Sequence, residues 1–563
     1  MTQASNGQDR PLAPHTDCDV VVVGYGPVGM IIAGLLAQLG LDVVVVERWP
    51  QRYSLSRAGH LDGETMRTFQ RLGVAGEIEL AARPMMEWSL VSADMEVLAT
   101  VMLGKGGAGW KESYLSYQPE IEAVFDAKVR ELGVQVHMGI VATGLQQSPD
   151  AVTLSVVPSH GPQADPRPGA QPSTVRAAYV IGADGARSWV RTAIGSERLD
   201  LGFPALDQLV IDFEPRDPDI HLPQLPEVYQ VLDINRPLLA GRWSGSRHSR
   251  FEFAVNEGES RAELVDEGRC WDLLARWDIT PEMGRIERRA VYTFESTLAT
   301  PWRQGRVLLV GDAAHTMPPF MGQGMCSGVR DAFNLSWKLA AVVRGEADEI
   351  LLDTYESERA PHVRGLTEIS MAFGEMVLTR DPDIARQRDD MLRAGNVPTP
   401  PIFPRLGTGI VAEGSEKELG TAVGRLSPQA RVALDRSIDR LDEFGSGWRI
   451  VSRHAVPTAL FHQGQRDLMT RLDMDVVHVS RGPGPGYYVD IDGEYGRWFQ
   501  ANHVQAFVQR PDGYVFGTAR TVADLPALLD ELAHILSRHG WHGRTAVSTP
   551  AVTSPGGNVA DRR

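Results

Sequence analysis

Cysteine is scarce in this chain of 563 residues, which has only Cys18, Cys270 and Cys326. Cysteines so few and so far apart exclude a disulfide framework and a cysteine-based zinc site, and we expect no bound metal. They fit a reducing cytoplasm, which is the compartment we expect. Basic charge is scarce as well, since the net charge is -16. That balance lacks the positive footprint of a nucleic-acid-binding protein, so we expect no nucleic-acid partner.

Long apolar runs are few, and residues 20–40 approach the length of a membrane span. The glycines Gly24, Gly26 and Gly29 interrupt this run, so its pattern predicts a strand, a tight turn and a helix. We therefore expect no membrane association. Residues 1–17 lack the apolar core of a secretory signal, and we expect them, like residues 548–563, to be disordered.

The same stretch carries the spacing G-x-G-x-x-G between two apolar strand patterns. In such a βαβ unit Gly24 allows a tight turn, Gly26 lets the backbone approach a pyrophosphate, and Gly29 lets the helix pack on the strand. Glu47 ends the second strand 18 positions after Gly29, where a carboxylate accepts hydrogen bonds from a ribose. The pattern predicts a dinucleotide site, for either FAD or NAD(P).

A second strand-to-helix junction spans residues 307–340. The apolar run at 307–310 predicts a strand, and Asp312 follows it where a doubly wound sheet offers its ligand crevice. The helix predicted after it has first-turn N–H groups without intrahelical partners. Asp312 there either holds a ribityl hydroxyl of a flavin or caps a turn. Because no second G-x-G-x-x-G lies between strands, one bound nucleotide is the simpler interpretation.

Three motifs together resemble the signatures of one enzyme family. They are the glycine-rich βαβ unit, GADGARSWVR at 182–191 and GDAAHTMPPFMGQGMCSGVRDAFNLSWKL at 311–339. In this order they resemble the flavoprotein aromatic hydroxylases related to p-hydroxybenzoate hydroxylase. Two further stretches, SRAGHLDGETMRTFQRLGV at 56–74 and YQPEIEAVF at 117–125, resemble the same family. The resemblance covers roughly residues 18–375.

The resemblance implies a set of residues that hold noncovalent FAD. These are Gly24, Gly26, Pro27, Gly29, Glu47, Arg48, Arg57, Gln118, Asp184, Asp312, Gly324, Met325 and Cys326. Arg57 and Gln118 would lie near the pyrophosphate, and Gly324 to Cys326 would offer backbone N–H groups to the flavin. Asp184 would lie near the pyrophosphate or NAD(P)H, or alternatively cap a helix. Pro318, Pro319 and Phe320 form either a dry pocket wall or simply a rigid loop.

The resemblance also implies the reaction. NADH or NADPH reduces the FAD, O₂ forms a flavin hydroperoxide, and a phenolic aromatic acid receives one oxygen atom during aromatic degradation. No side chain stands out as the catalytic base. For the substrate carboxylate the candidates are Arg236, Arg242 and Arg250. The alternatives are another phenol (resorcinol, hydroxyphenylacetate or a polyketide), a flavin dehydrogenase or oxidase, and a non-catalytic FAD-binding protein.

The fold class we predict is α/β with α+β elements. A Rossmann-like FAD-binding domain would take residues 18–200 and 290–375, with a substrate-binding β-sheet domain inserted at 201–289. Residues 376–420 would form a linker. The strand, hairpin and helix order at 421–547 resembles a thioredoxin-like domain, which lacks the cysteines for dithiol chemistry and would serve packing or a homodimer contact.

Overall fold

The structure is a computed structural model that describes residues 12–104, 106–161, 163–217, 228–242, 248–396, 403–413, 422–435 and 437–543. The predicted tail at 548–563 lies outside the described residues, as do residues 1–11 of the predicted arm.

Thirteen helices of this part of the chain are labelled in chain order. They are α1 (Pro27–Gln38), α2 (Gly63–Leu72), α3 (Ala75–Ala81), α4 (Gln118–Glu131), α5 (Trp189–Ala193), α6 (Arg261–Leu264), α7 (Glu267–Leu274), α8 (Gln323–Val343), α9 (Asp353–Leu378), α10 (Pro382–Arg393), α11 (Gln463–Arg471), α12 (Glu494–Ala501) and α13 (Leu525–Arg538).

The strands before residue 200 are β1 (His15–Val23), β2 (Val43–Glu47), β3 (His60–Asp62), β4 (Arg83–Pro84), β5 (Glu87–Val91), β6 (Val97–Met102), β7 (Ser113–Leu115), β8 (Gln135–Met138), β9 (Ile140–Gln147), β10 (Val152–His160), β11 (Asp165–Pro166), β12 (Ser173–Gly182) and β13 (Glu197–Asp200).

The strands after it are β14 (Leu206–Pro215), β15 (Val228–Val231), β16 (Leu238–Arg242), β17 (Ser249–Ala254), β18 (Gly284–Phe294), β19 (Thr297–Thr300), β20 (Arg303–Gln304), β21 (Val307–Leu309), β22 (His315–Thr316), β23 (Arg431–Leu434), β24 (Ser437–Arg440), β25 (Arg449–Ser452), β26 (Asp475–Ser480), β27 (Tyr488–Asp490), β28 (Ala506–Gln509) and β29 (Val515–Ala519).

A nine-stranded sheet forms the first layer, and its strands β21, β12, β1, β2 and β8 lie side by side in parallel. The valines of β1 and β2 are buried, as in a parallel sheet that helices cover on both faces. Helix α1 packs against α4 and α8. Because the carboxyl ends of parallel strands share one edge, Gly24 after β1, Glu47 at the end of β2 and Asp312 after β21 lie at the same edge.

A seven-stranded sheet forms the second domain, in the order β18-β14-β17-β16-β15-β5-β6. Helix α7 covers it, with Leu274 in the same core as Phe213 and Phe251. This sheet is larger than the predicted 201–289, because β5 pairs in parallel with β15 and brings β6 with it, while β18 continues to Phe294. The pairing joins segments about 140 residues apart, which no local pattern reveals.

The C-terminal domain contains a seven-stranded sheet in the order β24-β23-β27-β26-β25-β28-β29. Strand β25, helix α11 and the parallel strand β26 are followed by the antiparallel pair β28 and β29 and by α13. This is the arrangement of thioredoxin, and the predicted fold class is confirmed.

Two segments are more ordered than their sequences indicate. His15, Thr16 and Asp17, predicted to be disordered, belong to β1 and pair with β12 at residues 174–176, which supplies the partner that a local pattern cannot show. Helix α10 lies inside the predicted linker. Asp381 caps it, and Arg388 donates to the backbone oxygen of Leu232, so the second domain fixes this polar helix.

No helix in the described part of the chain is long and apolar enough to cross a membrane. The apolar run at 20–40 is divided between β1 and α1, as its glycines predict.

A fully buried charge cluster joins the C-terminal domain to α8 and α9. Glu358 on α9 accepts from Lys338 on α8 at 2.7 Å and from Arg510 at 2.7 Å, while Arg510 also pairs with Asp512 at 2.6 Å. Burial alone would raise the pKa of Glu358, but Arg510 and Lys338 hold it well below its usual range. Burial lowers the pKa of Lys338 to about 8, although Glu358 opposes this. The interface therefore depends on every member of the cluster being paired.

Glu358→Ala should reduce the free energy of unfolding by about 3–5 kcal/mol, because it leaves Lys338 and Arg510 without their shared carboxylate. Urea unfolding measures this. The matched control is Glu413→Ala, which breaks the exposed pair of Glu413 with Arg538 and should cost less than about 1 kcal/mol. Equal losses in the two variants would contradict the account.

Candidate active site

A cavity of about 1980 Å³ opens at the carboxyl edge of the first sheet and extends to the second sheet. Such a volume suits a large cofactor together with a substrate. Its lining contains most of the residues predicted to hold FAD or to form the pocket wall: Gly24, Gly26, Pro27, Glu47, Arg48, Arg57, Gln118, Asp184, Asp312, Pro318, Pro319, Phe320, Gly324 and Met325. Gly29 and Cys326 are not part of this lining.

The three glycines of the first motif differ in what a side chain would meet. Gly24 has φ +109°, and a Cβ there would lie 2.4 Å from the oxygen of Ala183. A Cβ at Gly29 would lie 2.2 Å from the oxygen of Gly24, whereas one at Gly26 would meet nothing within 4 Å. Gly24 and Gly29 thus allow close packing, while Gly26 presents bare backbone to the cavity at the start of α1. No side chain caps that helix start.

Glu47 is fixed at the end of β2. Its carboxylate accepts from the backbone N–H of Tyr25 at 2.7 Å and from that of Trp49 at 2.9 Å. Burial raises the pKa of Glu47, and the two N–H groups oppose that rise. The side chain is therefore held rigidly where the motif predicts a ribose contact.

The loop that carries Arg57 is held from two sides. Gln118 Oε1 accepts from the N–H of Arg57 at 2.8 Å and from that of Ala58 at 2.7 Å. The Arg250 guanidinium donates to the backbone oxygens of Ser56 at 2.9 Å and Arg57 at 3.0 Å. Gln118 thus supports the loop directly, and its predicted contact with FAD stays a prediction.

Asp184 lies at the cavity and also binds the first turn of α5, whose N-cap residue is Ser188. Its carboxylate accepts from the N–H of Trp189 at 2.7 Å, from that of Val190 at 3.1 Å and from the hydroxyl of Ser188 at 2.5 Å. This is the geometry of the helix-cap interpretation. Burial raises the pKa of Asp184, and these donors oppose that rise.

Asp312 lines the cavity and is exposed there. Burial raises the pKa of Asp312, while the nearby His315 and Arg57 lower it. Within the described residues no hydrogen bond reaches this carboxylate, and the short turn it belongs to has no side-chain cap. The turn-capping interpretation therefore lacks support, and the contact of this carboxylate with a ribityl hydroxyl stays a prediction.

Helix α8 begins at the cavity, and Gly322, the N-cap residue before it, has φ +62° and provides no side-chain cap. Gly324 and Met325 line the cavity in its first turn, where backbone N–H groups lack intrahelical partners. Cys326 is buried beside them, with its thiol 3.6 Å from the backbone oxygen of His60. A contact from Cys326 to a flavin would involve its main chain.

The predicted wall at 318–320 is fixed by α9. The Ser370 hydroxyl donates to the backbone oxygen of Pro318 at 3.0 Å. A Cβ at Gly374 would lie 2.4 Å from the Phe320 ring, so this glycine allows the ring to pack directly on the helix. Phe320 also packs on Phe203, with ring centroids 6.0 Å apart.

Of the three arginines predicted to bind a substrate carboxylate, Arg250 lies at the cavity, and its predicted contact with substrate stays a prediction. Arg236 pairs with Glu259, and neither Arg236 nor Arg242 lines the cavity. Arg250 does, but its guanidinium binds Asp212 at 2.7 Å as well as the loop at 56–57. The sequence predicted the strand of Arg250 but not its partner, because strand register places Asp212 directly opposite it. Arg236 lies in the turn between β15 and β16, where no register sets its partner.

Several residues that line the cavity could not be predicted from the sequence. The C-terminal part contributes Arg425, Leu426, Ser427, Pro428, Trp498 and Tyr514. The Tyr514 hydroxyl donates to Glu64 at 2.5 Å. These residues reach the cavity only because the domains dock, and the predicted packing role of the C-terminal domain did not include them. His60 and Ser113 also line the cavity, from the small sheet β3-β7-β4.

The arrangement fits FAD. Gly26 offers backbone without obstruction, α1 and α8 both begin uncapped at the cavity, and Asp312 has an acceptor that the described protein leaves unsatisfied. Helix starts suit a pyrophosphate and the electron-rich edge of a flavin, and a carboxylate suits a ribityl hydroxyl. Each observation matches a different part of the dinucleotide.

Comparison with known proteins agrees with an FAD site in this cavity. Residues 17–370 match the family described as FAD binding domain, and residues 424–535 match the HcaD C-terminal domain. A probable NADH-specific resorcinol 4-hydroxylase of Rhodococcus jostii (strain RHA1) is 38% identical over 93% of this chain and 96% of its own. A 3-(3-hydroxy-phenyl)propionate/3-hydroxycinnamic acid hydroxylase of Mycobacterium avium (strain 104) is 32% identical over 94% of each chain.

Solved structures share the fold at lower identity. The flavin-dependent monooxygenase PieE, in complex with FAD and substrate, is 22% identical with a TM-score of 0.77 over 93% of this chain and all of its own. Aklavinone-11 hydroxylase, with FAD and aklavinone, is 23% identical with a TM-score of 0.74 over 92% of this chain and 99% of its own. Taken with the family match and the cavity, these findings place the chain in the FAD-binding family, among the FAD-dependent aromatic hydroxylases.

Proposed function

We propose that this hydroxylase acts on a phenol with a second substituent at the 3-position, using NADH or NADPH and O₂. The observation that carries the proposal is a single cavity that joins the FAD-binding edge of the first sheet to an apolar wall of the second. The two relatives compared above are named for resorcinol and for 3-(3-hydroxy-phenyl)propionate, which share this substitution pattern.

Gly26, Glu47 and Asp312 would hold FAD, which would supply the chemistry for passing two electrons from the nicotinamide to O₂, so that one oxygen atom enters the ring and the other becomes water. The chain itself must bind, orient and dry the site. Gly26, Glu47 and Asp312 hold the cofactor in this proposal, and the first turn of α8 faces the flavin. Phe320 and its two prolines exclude water beside it.

The substrate ring has an apolar place in the cavity. Met85, Leu115 and Val228 are buried together, and Trp88, Leu103 and Leu239 pack on them. All six line the cavity. This surface, which we call the apolar wall, suits an aromatic ring more than a charged group.

The charges of the second sheet favour a neutral substrate. Its arginines at the cavity, Arg250 and Arg288, are already paired with Asp212. Arg261, on the neighbouring helix α6, also lines the cavity and pairs with Asp207. A substrate carboxylate would compete with these built-in carboxylates. The phenolic acid predicted from the sequence, 3-(3-hydroxyphenyl)propionate, remains a candidate, and resorcinol is the candidate that the pairing favours. The cytoplasmic location and the homodimer stay predictions.

Gly26→Val should give a folded protein that no longer binds FAD, because a Cβ at Gly26 meets no protein atom but occupies the proposed path of the pyrophosphate. The flavin absorbance of the purified variant measures this. Gly76→Val is the matched control, since a Cβ at Gly76 also meets nothing within 4 Å and lies outside the cavity lining. Full flavin content in Gly26→Val would refute the assignment of this loop.

Asp312→Ala should weaken FAD binding by about 1–3 kcal/mol, the scale of a lost hydrogen bond to a charged group. Fluorescence titration of the apoprotein with FAD gives the change in Kd. Asp353→Ala, which removes an exposed carboxylate paired with Arg303, should leave the Kd unchanged. Unchanged affinity in Asp312→Ala would return this residue to a purely structural role.

Resorcinol should be hydroxylated with a kcat/KM at least tenfold above that of 3-(3-hydroxyphenyl)propionate, a difference of about 1.4 kcal/mol in transition-state binding. Nicotinamide oxidation, corrected for H₂O₂ and combined with product identification, tests this. A preference for the acid would favour the other candidate. A dehydrogenated product without added oxygen would point to a flavin dehydrogenase instead.

A further inference from the structure

Glu252 places a carboxylate on the face of the second sheet that lines the cavity. It lies directly opposite Leu239 of β16 and Val210 of β14, and both of these residues also line the cavity. Because directly opposite residues of paired strands point to the same face, the three side chains share one surface. The neighbours of Glu252 along β17, Phe251 and Phe253, point to the other face and belong to the core that α7 covers.

Glu252 lies close to the proposed place of the substrate ring. Its neighbour Leu239 belongs to the apolar wall. Glu252 and Leu239 also line a small adjoining cavity of about 20 Å³ together with Pro319 and Phe320. Glu252 therefore lies beside both the apolar wall and the loop that is proposed to exclude water near the flavin.

The Glu252 carboxylate receives no hydrogen bond from the described residues. The Nη1 atom of Arg250 lies 3.8 Å from Glu252 Oε1, an ion-pair distance that is too long for a hydrogen bond. Arg250 donates elsewhere, from Nη1 to the backbone oxygen of Arg57 at 3.0 Å and from Nε to Asp212 at 2.7 Å. An ionised carboxylate only accepts, and a polar group away from bulk water needs a partner, so a ligand O–H is the donor that this position suits.

The charges around Glu252 favour its accepting form. Burial raises the pKa of Glu252 and Asp212 adds to the rise, whereas Arg250 and Arg288 lower it. Asp212 binds both of these arginines and is outside the cavity lining. The two guanidinium groups therefore support an ionised Glu252 at the cavity, and a donated hydrogen bond from a ligand would stabilise that form further.

We propose that Glu252 binds the substituent at the 3-position of the substrate phenol and selects a hydroxyl there. With the ring of resorcinol on the apolar wall, its second hydroxyl donates to Glu252 while the rest of the ring reaches toward the flavin. In 3-(3-hydroxyphenyl)propionate this substituent ends in a carboxylate, which cannot donate and carries the same charge as Glu252. The residue thus discriminates by attraction and by repulsion. This inference rests on the proposed function, because it assumes a phenol with a second substituent.

Equilibrium binding to the FAD-loaded protein tests this inference without turnover. The change in flavin absorbance on adding ligand gives Kd for resorcinol, for 3-fluorophenol and for 3-(3-hydroxyphenyl)propionate. Fluorine is close to a hydroxyl in size but has no proton to donate. Wild type should bind resorcinol at least about tenfold more tightly than 3-fluorophenol, the scale of one hydrogen bond to a charged group.

Two substitutions of Glu252 separate its charge from its ability to accept. Glu252→Gln keeps the shape of the side chain and removes the charge, so the preference for resorcinol over 3-fluorophenol should fall severalfold and the propionate should bind more tightly. Glu252→Leu removes the acceptor and should abolish the preference. Because the ligands are compared within one variant, a general loss of structure would weaken them alike.

The matched control is Glu214→Gln. Glu214 lies on the same sheet, pairs with the exposed Arg285 and is outside the cavity lining, so its loss should leave the ratio of the Kd values unchanged. Flavin content is measured for every variant. Equal affinity of wild type for resorcinol and 3-fluorophenol, or a wild-type ratio in both Glu252 variants, would overturn the proposal. Product analysis tests the proposed function separately, which fails if wild type hydroxylates no phenol.

Discussion

The close approach of α1 and α8 to the carboxyl edge of the first sheet is the constraint on which the rest of the structure depends. Glycines make it possible. A Cβ at Gly29 would collide with the backbone of Gly24, and one at Gly328 would lie 2.5 Å from Val28 and 3.0 Å from Gly311. With both helices in this position, their uncapped starts face one cavity, and the loop with Asp312 passes between them. The backbone arrangement that suits the cofactor therefore depends on how closely these helices pack, and not on the side chains that line the cavity.

Helix α8 connects this edge to the rest of the molecule. Its first turn lines the cavity, and its next turns carry Arg330, Asn334 and Lys338 at four-residue spacing, so that they share one face. Arg330 binds Asp62 and Glu64 beside the cavity, whereas Lys338 binds Glu358 in the cluster that contains Arg510. The same helix therefore faces the proposed flavin position and anchors the C-terminal domain, whose residues form one end of the cavity.

Local sequence predicted the parts of the site that depend on local backbone. The spacing of Gly24, Gly26 and Gly29 was sufficient to predict the turn from β1 into α1. The apolar run before Asp312 was sufficient to predict its strand. In both places strand, turn and helix lie within a few residues of each other. Contacts between distant segments were not predictable in this way. The pairing of β5 with β15, the wall formed by the C-terminal domain and the carboxylate partner of Arg250 all depend on register and docking. The sequence alone therefore made the arginines of the inserted sheet candidates for binding substrate. In the structure Arg250 pairs with Asp212 and also donates to the loop that carries Arg57.

Incorporation of labelled oxygen tests the central claim most directly, namely that this cavity transfers an oxygen atom to a phenol. The purified FAD-loaded protein is supplied with NADH or NADPH, resorcinol and oxygen-18 gas, and the product is analysed by mass spectrometry. The account predicts a hydroxylated product that carries one labelled atom per molecule, with one nicotinamide oxidised for each product formed. A product whose new oxygen comes from water, or nicotinamide oxidation that yields only hydrogen peroxide with every phenol tried, would contradict it.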